Sequence, residues 1–505
     1  MSKLRLASIL LIISTFVLKF SSMLRDLVIA NYFGSSHEAD AYLAAMIIPN
    51  TLILFMLTGM KEAFLPSYYK YNALGQGFSH LTNIVKGTFW ISLAATIVGM
   101  ILSPFIIPVV YPKPEAMDVA VWTAVIYFAS VFLVGINAVY EGYFDAQRKF
   151  SFSTFSQTSV VLATIGGTIL FHDRLGIYSA ALGYFVGTII SLLIKLIYLK
   201  PGQFMNWKQP MDKREVSSFY LIFLPVGLTI AVGQVNLLIN TIFSSRLEEG
   251  VVANLNYAFR LVNIPQAIFG VTIATIIFPL LAQAKTEQKM DLFKQGIEKG
   301  LSFMFLFVAP TVTGMVLLME EVVQIFYQRG EFDATSTALT SEYAVYYVGS
   351  VVFYSIQAVI AKGFYTLEKG HYMLRIGIIS IVCNIIFNAL LVKTMGAPGL
   401  ALSFSLVGFV YSVITFSTLY KISGGFDLRY VAKEYIKVFI ATAVMIAVLL
   451  FVERFMASWN VYVYVAAMAV IGGAVYFIAL FLTRSQSMKE LVNIKQFKRK
   501  ASEGG

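Results

Sequence analysis

Long runs of apolar residues, separated by short polar segments, recur along the whole chain. Each run has the roughly 17 to 25 predominantly apolar residues that a helix needs to cross the hydrocarbon core of a bilayer. The runs are too long and too evenly apolar to be the alternating strands of an outer-membrane barrel. We therefore predict an all-α polytopic membrane protein with fourteen transmembrane helices, at 6–30, 40–66, 81–109, 118–143, 155–171, 176–199, 217–243, 252–282, 300–319, 339–364, 373–393, 397–420, 435–452 and 461–482.

The composition excludes several other classes of protein. Of the 505 residues, 58% are hydrophobic and only 13% are charged, whereas about a quarter of the residues of a soluble globular domain are charged. Intrinsic disorder requires low hydrophobicity, and a disulfide scaffold requires many cysteines, but Cys383 is the only cysteine. We interpret Cys383 as a small packing residue.

The net charge of +11 is explained by topology and does not indicate nucleic-acid binding. With fourteen spans, the side that holds the termini carries 29 Lys and Arg against 13 Asp and Glu, and the other side carries 6 against 13. Cytoplasmic loops of membrane proteins are enriched in Lys and Arg, so both termini are predicted to be cytoplasmic. The basic tail that ends in Lys498, Arg499 and Lys500 is predicted to lie on anionic lipid headgroups.

Three pairs of similar segments indicate an internal repeat. Residues 42–49, 142–148 and 175–182 resemble 257–265, 363–369 and 395–402, in the same order and at offsets of 216, 221 and 220 positions. Repeated halves are a common plan of secondary transporters. We predict two pseudo-symmetric lobes of six helices, 1–210 and 211–430, followed by two further helices and the basic tail in 431–505. Six helices per lobe give both lobes the same orientation, a plan that suits alternating access around a site between them.

Charged residues near the ends of the predicted spans are counted with the loops, which leaves four ionisable residues inside the spans: Lys19, Arg25, Asp26 and Arg260. A charged residue at the centre of a spanning helix costs about 2.5 to 3.5 kcal/mol on insertion scales, so such residues are candidates for function. Cations from both lobes that converge on a cleft would suit an anionic substrate such as a phosphate or pyrophosphate. Lys19 and Arg25 lie on different faces of a straight helix and would converge only if the first helix bends, for example at the Ser21-Ser22 pair.

The sequence contains no recognisable catalytic constellation. Its four histidines lack metal-ligand spacing, there is no phosphate-binding GxxxxGK[ST] motif, and we predict no metal, cofactor or enzymatic activity. A cation-coupled multidrug or metabolite antiporter that depends on Asp26 stays open as the alternative. The only support for a membrane glycosyltransferase would be the acidic outer loop around 320–333, whose carboxylates could bind a metal. Exposure to solvent explains the acidic residues of this loop better.

Several motifs in the first eight helices resemble those of a known transporter family. They are Leu24-Arg-Asp-Leu-Val-Ile-Ala-Asn-Tyr-Phe-Gly34, Glu38-Ala-Asp-Ala-Tyr42, Ile48-Pro-Asn50, Ala63-Phe-Leu-Pro66, Ile239-Asn-Thr-Ile-Phe243, Tyr257-Ala-Phe-Arg260 and Phe278-Pro279. The set resembles the MurJ (MviN) family of lipid II flippases in the multidrug/oligosaccharidyl-lipid/polysaccharide (MOP) exporter superfamily. A plan of six, six and two helices also matches that family.

The resemblance implies a function and a set of binding residues. It implies a flippase that moves an undecaprenyl-pyrophosphate-linked glycan, either lipid II or an exopolysaccharide unit, across the bacterial cytoplasmic membrane, with cell-envelope biosynthesis proteins as candidate partners. By position, Arg25 and Arg260 match family arginines and Asp40 matches a family aspartate, while Lys19 stands where relatives have Arg. It also implies that the last two helices form a groove for the lipid tail.

The sequence departs from the family pattern at several positions. A basic pair after the Pro-Asn of the second helix is here Ile53 and Leu54, and an acid after the arginine of the eighth helix is here Asn263. Some relatives have a sodium site with an acid on the eleventh helix, where this chain has Asn384 and Asn388. Sodium binding is therefore not expected. Because the chain has fewer basic residues at these positions than its relatives, an exopolysaccharide unit remains an alternative substrate to lipid II.

Overall fold

A computed structural model describes residues 3–199, 206–456 and 458–492. Every regular element in these ranges is helical. The helices are α1 (Lys3–Phe33), α2 (His37–Ala45), α3 (Ile47–Ala73), α4 (Gly77–Val110), α5 (Met117–Ala146), α6 (Phe150–Leu175), α7 (Tyr178–Leu199), α8 (Lys213–Ser244), α9 (Val251–Pro265), α10 (Thr272–Thr286), α11 (Met290–Leu317), α12 (Met319–Tyr327), α13 (Ala334–Thr366), α14 (Gly370–Met395), α15 (Ala397–Ile422), α16 (Leu428–Glu453), α17 (Val461–Leu482) and α18 (Gln486–Val492), with a 3-10 turn at Pro114–Ala116.

Twelve helical stretches in the described ranges are long and apolar enough to cross a membrane. They include α2 with α3 as one stretch and α9 with α10 as another. The all-helical class is thereby confirmed, whereas the count of fourteen stays a prediction, because α1 and α8 are not among the twelve. In α1 the apolar run is interrupted by Lys19, Arg25 and Asp26.

Two predicted helices are interrupted near prolines. The second predicted helix divides into α2 and α3 at Met46, just before Pro49. The eighth continues past Pro265 as a π-helical segment, Gln266–Val271, before α10 begins. Proline removes a backbone donor and clashes with the preceding turn, and π-helical turns often occur at functional sites. Both irregularities follow from the prolines in the sequence.

The chain forms two compact units. Unit 1 comprises Met1–Asn254 and Arg329–Ser336, and unit 2 comprises Leu255–Gln328 and Thr337–Gly505. In unit 1, α5 packs against α3, α4 and α7, and α6 packs against α1 and α7. Helix α8 also packs against α3 and α4, although the sequence repeat assigns it to the second lobe. In unit 2, α11 packs against α10 and α16, and α14 packs against α15.

The loop 329–336 belongs to unit 1 because it is bonded to the end of α1. The backbone N–H of Glu331 donates to the carbonyl of Asn31 at 2.9 Å, and the hydroxyls of Ser35 and Ser336 are 2.6 Å apart. At the start of α13, the N–H of Ser336 donates to the Asp333 carboxylate at 2.7 Å, and this bond holds the pKa of Asp333 below its usual range. This acidic loop is thus ordered by specific hydrogen bonds.

Gly330→Ala is expected to destabilise this loop strongly. Gly330 has φ +59°, and an added Cβ would overlap the Asn31 carbonyl oxygen. Gly75 also has a positive φ, +73°, but open space around it, so Gly75→Ala isolates the conformational cost of about 1 to 2 kcal/mol. Thermal unfolding of the purified protein in detergent should show a larger fall in Tm for Gly330→Ala than for Gly75→Ala. Equal shifts would contradict the steric argument.

A buried carboxylate in unit 2 fixes the last described helix. Glu434 on α16 accepts hydrogen bonds from the Ser485 hydroxyl at 2.5 Å and from the N–H of Ser487 at 3.2 Å. Lys437 donates to the same carboxylate at 2.7 Å. Unbonded N–H groups at a helix start are stabilised by a negative charge, so Glu434 holds the start of α18. The basic tail beyond it, including Lys498 to Lys500, lies outside the described residues.

Candidate functional site

The arginine predicted on the first helix pairs with its neighbour in the chain. Arg25 Nε and Nη2 lie 3.1 and 2.9 Å from Asp26 Oδ1. The side chains are 22% and 11% exposed, respectively. A charge-assisted pair of this kind holds the guanidinium in one orientation, and it leaves donors of Arg25 available to a further anion. The carboxylate of Asp26 is thereby paired with the guanidinium of Arg25.

Three tyrosines of unit 1 lie in the neighbourhood of the Arg25 pair. The hydroxyls of Tyr42 and Tyr127 are 2.7 Å apart, and the rings of Tyr127 and Tyr184 are 4.9 Å apart. All three hydroxyls lie within electrostatic range of the Arg25 guanidinium. Helices α1, α2, α5 and α7 thus bring hydroxyl groups and a cation together, a combination that suits an oxygen-rich anionic ligand.

Lys19 is placed apart from Arg25. Its side chain is exposed, and α1 is one uninterrupted helix from Lys3 to Phe33. Ser22 does donate back to the Leu18 carbonyl at 2.9 Å, a bond that can bend a helix slightly. No hydrogen bond or ion pair within the described residues joins Lys19 to Arg25, so the structure does not bring these two predicted residues together.

Asp40 has a structural role in unit 1. It is fully buried, and its two carboxylate oxygens accept the N–H groups of Gly250 and Ala253, each at 2.8 Å. Lys113 Nζ lies 3.9 Å away. These N–H groups belong to the first turn of α9, where a carboxylate satisfies free donors and complements the helix dipole. Asp40 thus caps the start of α9, and the substrate contact predicted from sequence stays a prediction.

Arg260 lies on α9 in unit 2, one turn before the π-helical segment. It is half-buried, and its Nε donates to Asn256 Oδ1, one turn earlier, at 3.1 Å. Asn263, which stands where relatives have an acid, donates to the Phe259 carbonyl at 2.7 Å. The amide of Asn256 orients the guanidinium without neutralising it.

A buried ionic cluster in unit 1 was not predicted from the sequence. Lys195 on α7 donates to Glu141 Oε1 at 3.1 Å, to Asn137 Oδ1 at 2.6 Å and to Ser191 Oγ at 3.0 Å. Lys61 on α3 lies 3.0 Å from Glu141 Oε2. The side chains of Lys195 and Glu141 are 0% and 2% exposed. Four interacting polar groups therefore sit inside the helical core around one carboxylate.

The position of these residues near helix ends explains why they were not predicted. Lys195 and Glu141 are within two turns of the ends of α7 and α5, so their charges resemble those of loops. The spacing of these residues along the helices could have indicated the cluster. Asn137 and Glu141, and likewise Ser191 and Lys195, are four residues apart, the separation at which side chains share a helix face.

A large apolar groove lies within unit 2. Its volume is about 500 Å³, and it is bounded by α11, α16 and α17. Its lining includes Pro310, Gly314, Met445, Leu449, Gly472 and Phe477. Such a surface favours an alkyl chain over a polar ligand, and it is formed partly by the two last predicted spans.

The asparagines of the predicted eleventh helix pair with each other. Asn388 Nδ2 donates to Asn384 Oδ1 at 2.8 Å, and both residues are fully buried on α14. In the part of the chain that the structure describes, no group of three or more His, Cys, Asp or Glu side chains is arranged to hold a metal ion.

Comparison with known proteins places these features in a family. The family model described as lipid II flippase MurJ matches residues 29–470. The probable lipid II flippase MurJ of Vibrio cholerae is 25% identical over 471 residues, which cover 88% of this chain and 88% of that protein. The lipid II flippase MurJ of Burkholderia cenocepacia is 26% identical over 430 residues, 82% of this chain and 83% of that protein.

Solved structures show the same fold. A structure of lipid II flippase MurJ in an inward closed conformation aligns with a TM-score of 0.80 at 22% identity, covering 96% of this chain and all of that one. An inward-facing multidrug resistance MATE transporter of the MOP superfamily aligns with a TM-score of 0.70 at 14% identity, covering 82% and 98%. The resemblance found in the motifs is thereby confirmed. Because the family model spans most of the sequence, this chain belongs to the lipid II flippase MurJ family, and it has the MurJ/MATE-like all-helical fold.

Proposed function

We propose that this chain moves lipid II across the bacterial cytoplasmic membrane by alternating access, as a transporter and not an enzyme. The observation that carries the proposal is the family match over 29–470. Relatives named lipid II flippase align over more than four fifths of both chains. An exopolysaccharide substrate is not needed to explain these findings.

Arg25 and Arg260 are proposed as the cations that bind the pyrophosphate of the substrate. Each is a half-buried arginine on an apolar helix with its guanidinium oriented by a neighbour, Asp26 or Asn256. Arginine matches a phosphate group with two parallel hydrogen bonds. Lys19 is a third, more exposed cation on α1. Asp26 and Asp40 act indirectly, by orienting Arg25 and by capping α9.

The proposal includes a topology. We propose fourteen spans with both termini cytoplasmic, two six-helix lobes at 1–210 and 211–430, and a terminal segment 431–505 whose basic tail contacts anionic lipids. The charge asymmetry of the loops supports this orientation. The twelve apolar stretches support a multi-pass membrane protein.

The apolar groove of unit 2 is proposed to hold the polyprenyl chain of the substrate. Its lining is almost entirely aliphatic and aromatic, and each methylene removed from water contributes about 0.8 kcal/mol. Glycines Gly314, Gly472 and Gly473 leave room along its wall. A long hydrocarbon would therefore be retained beside the bilayer while the head group is moved.

The antiporter alternative is not favoured by the geometry. It required Asp26 as a cation-binding carboxylate, but Asp26 accepts two hydrogen bonds from Arg25. A carboxylate already paired with a guanidinium attracts a further cation weakly, because its charge is compensated.

The experiment that tests the proposal is complementation. The chain is expressed in bacteria depleted of their lipid II flippases, its presence in the membrane is verified, and survival is scored with exposure of lipid II on the outer leaflet. We expect rescue together with lipid II exposure. Membrane insertion without either would refute lipid II transport.

A further inference from the structure

Lys61 is the accessible member of the buried ionic cluster. It lies about three turns or more from either end of α3, within the apolar stretch His37–Ala73. Its side chain is 27% exposed, whereas those of Glu141 and Lys195 are buried. A charged group within an apolar spanning stretch is costly where it faces hydrocarbon, and such groups normally face a water-filled cavity. By this argument the exposed part of Lys61 is expected to face water.

Lys61 has hydrogen-bond donors that the cluster does not use. An ammonium group has three donors. Glu141 Oε2 lies 3.0 Å from Lys61 Nζ, and Asp145 Oδ2 lies 4.0 Å away, beyond hydrogen-bond distance. The ammonium is thus anchored on one side and can donate on its exposed side.

The rest of the cluster holds Glu141 in place. Lys195 donates to Glu141 Oε1, and Gln157 donates to Oε2 at 2.6 Å. Lys195 is held in turn by Asn137 and Ser191. Since these partners come from α5, α6 and α7, the carboxylate that anchors Lys61 has little freedom to move.

The two lysines and two carboxylates of the cluster sum to zero charge, but the carboxylate nearest to Lys61 is shared with Lys195. Glu141 is shared between two ammonium groups, and Lys195 has no other carboxylate in contact in the described residues. Asp145 compensates Lys61 only from the longer distance of 4.0 Å. An incoming anion would therefore find an oriented, incompletely neutralised cation.

We infer that Lys61 binds an anionic group of the transported lipid-linked glycan, and that the buried Glu141–Lys195 pair is the positioning device for it. This inference rests on the proposed function and adds a binding residue to it. The anionic group is either the pyrophosphate or an acidic group farther along the head group, and the two sources can be separated by the choice of ligand.

The test measures binding of two ligands to the full chain in nanodiscs: lipid II, and undecaprenyl pyrophosphate without a glycan. Lys61→Gln is expected to raise the Kd about tenfold, the effect of losing one charge-assisted hydrogen bond. Weaker binding of both ligands identifies the pyrophosphate as the partner, and weaker binding of lipid II alone identifies the head group. Lys61→Arg should retain most of the affinity.

Lys70→Gln is the matched control, because Lys70 is an exposed lysine in the last turn of the same helix. Its affinity should equal that of the parent. If Lys61→Gln leaves both Kd values unchanged, the inference is overturned. If the parent chain binds neither ligand and fails in complementation, the proposed function itself fails.

A second pair of variants tests the positioning role. The double variant Glu141→Gln/Lys195→Met removes both fully buried charges together and leaves Lys61 with Asp145, at 4.0 Å, as its neighbouring carboxylate. We expect the Kd to rise about threefold, and Lys61→Gln to have a smaller effect in this background than in the parent. An equal effect of Lys61→Gln in the two backgrounds would overturn the positioning role. Thermal unfolding verifies that each variant is folded.

Discussion

Arg260→Gln is expected to abolish transport of lipid II while the protein still inserts into the membrane. Glutamine keeps a hydrogen-bonding side chain near Asn256, but it removes the charge and the fork that match a phosphate. The loss of a charged hydrogen bond corresponds to at least about tenfold in binding. Lipid II exposure on the outer leaflet, normalised to the amount of protein in the membrane, is the measurement.

Arg375→Gln provides the control for this variant. Arg375 is an exposed arginine of the same unit, near the start of α14, and its replacement should leave transport unchanged. Arg260→Lys should retain partial activity, because it keeps the charge but not the fork. Full transport by Arg260→Gln would remove this residue from the proposed site.

Replacing one member of the buried pair is expected to have the largest effect on stability. Among the described residues, Glu141→Gln leaves the ammonium of Lys195 buried without a carboxylate in contact, and Lys195→Met leaves Glu141 with Lys61 as its one ion-pair partner. Breaking a buried ion pair from one side typically costs about 3 to 5 kcal/mol. Both single variants should therefore unfold at clearly lower temperature than the parent, measured in detergent by tryptophan fluorescence.

The double variant Glu141→Gln/Lys195→Met should recover much of this loss, since removing both charges avoids their desolvation. The exposed pair of Lys289 and Glu287 provides a control at 2.7 Å. Lys289→Met should change stability by no more than about 1 kcal/mol, as exposed ion pairs do. If single and double variants unfolded at the same temperature, the two buried charges would not be coupled.

The sequence was most informative where one residue property repeats along the chain. Apolar runs predicted the helical class, and the motifs of the first eight helices were sufficient to identify the family. Arg25 and Arg260 could be singled out because a charge in an apolar run is visible without knowledge of its neighbours. Asp26 could be singled out for the same reason. Its ion pair with Arg25 could not be predicted, because the pair depends on the side-chain conformations.

The contacts that the sequence did not reveal join residues distant in the chain. The partners of Asp40, Gly250 and Ala253, lie 210 residues or more away from it. Lys61 and Lys195 were counted with the loop charges, because they lie within five residues of the ends of the predicted spans 40–66 and 176–199. Only the packing of α3, α5 and α7 shows that they share one carboxylate.

The sequence by itself determined that this protein is a helical membrane protein, because hydropathy and helix length depend on local composition and the bilayer sets one thickness for every span. Its motifs, as a resemblance, identified the transporter family. The tertiary structure decided which charges are neutralised and which remain available. Burial and pairing of an ionisable group depend on atoms from several helices at distances of about 3 Å, and no pattern along one helix specifies them. Two cations of unit 1 show this dependence on tertiary contacts. Arg25 is paired with Asp26, and Lys61 is anchored on Glu141.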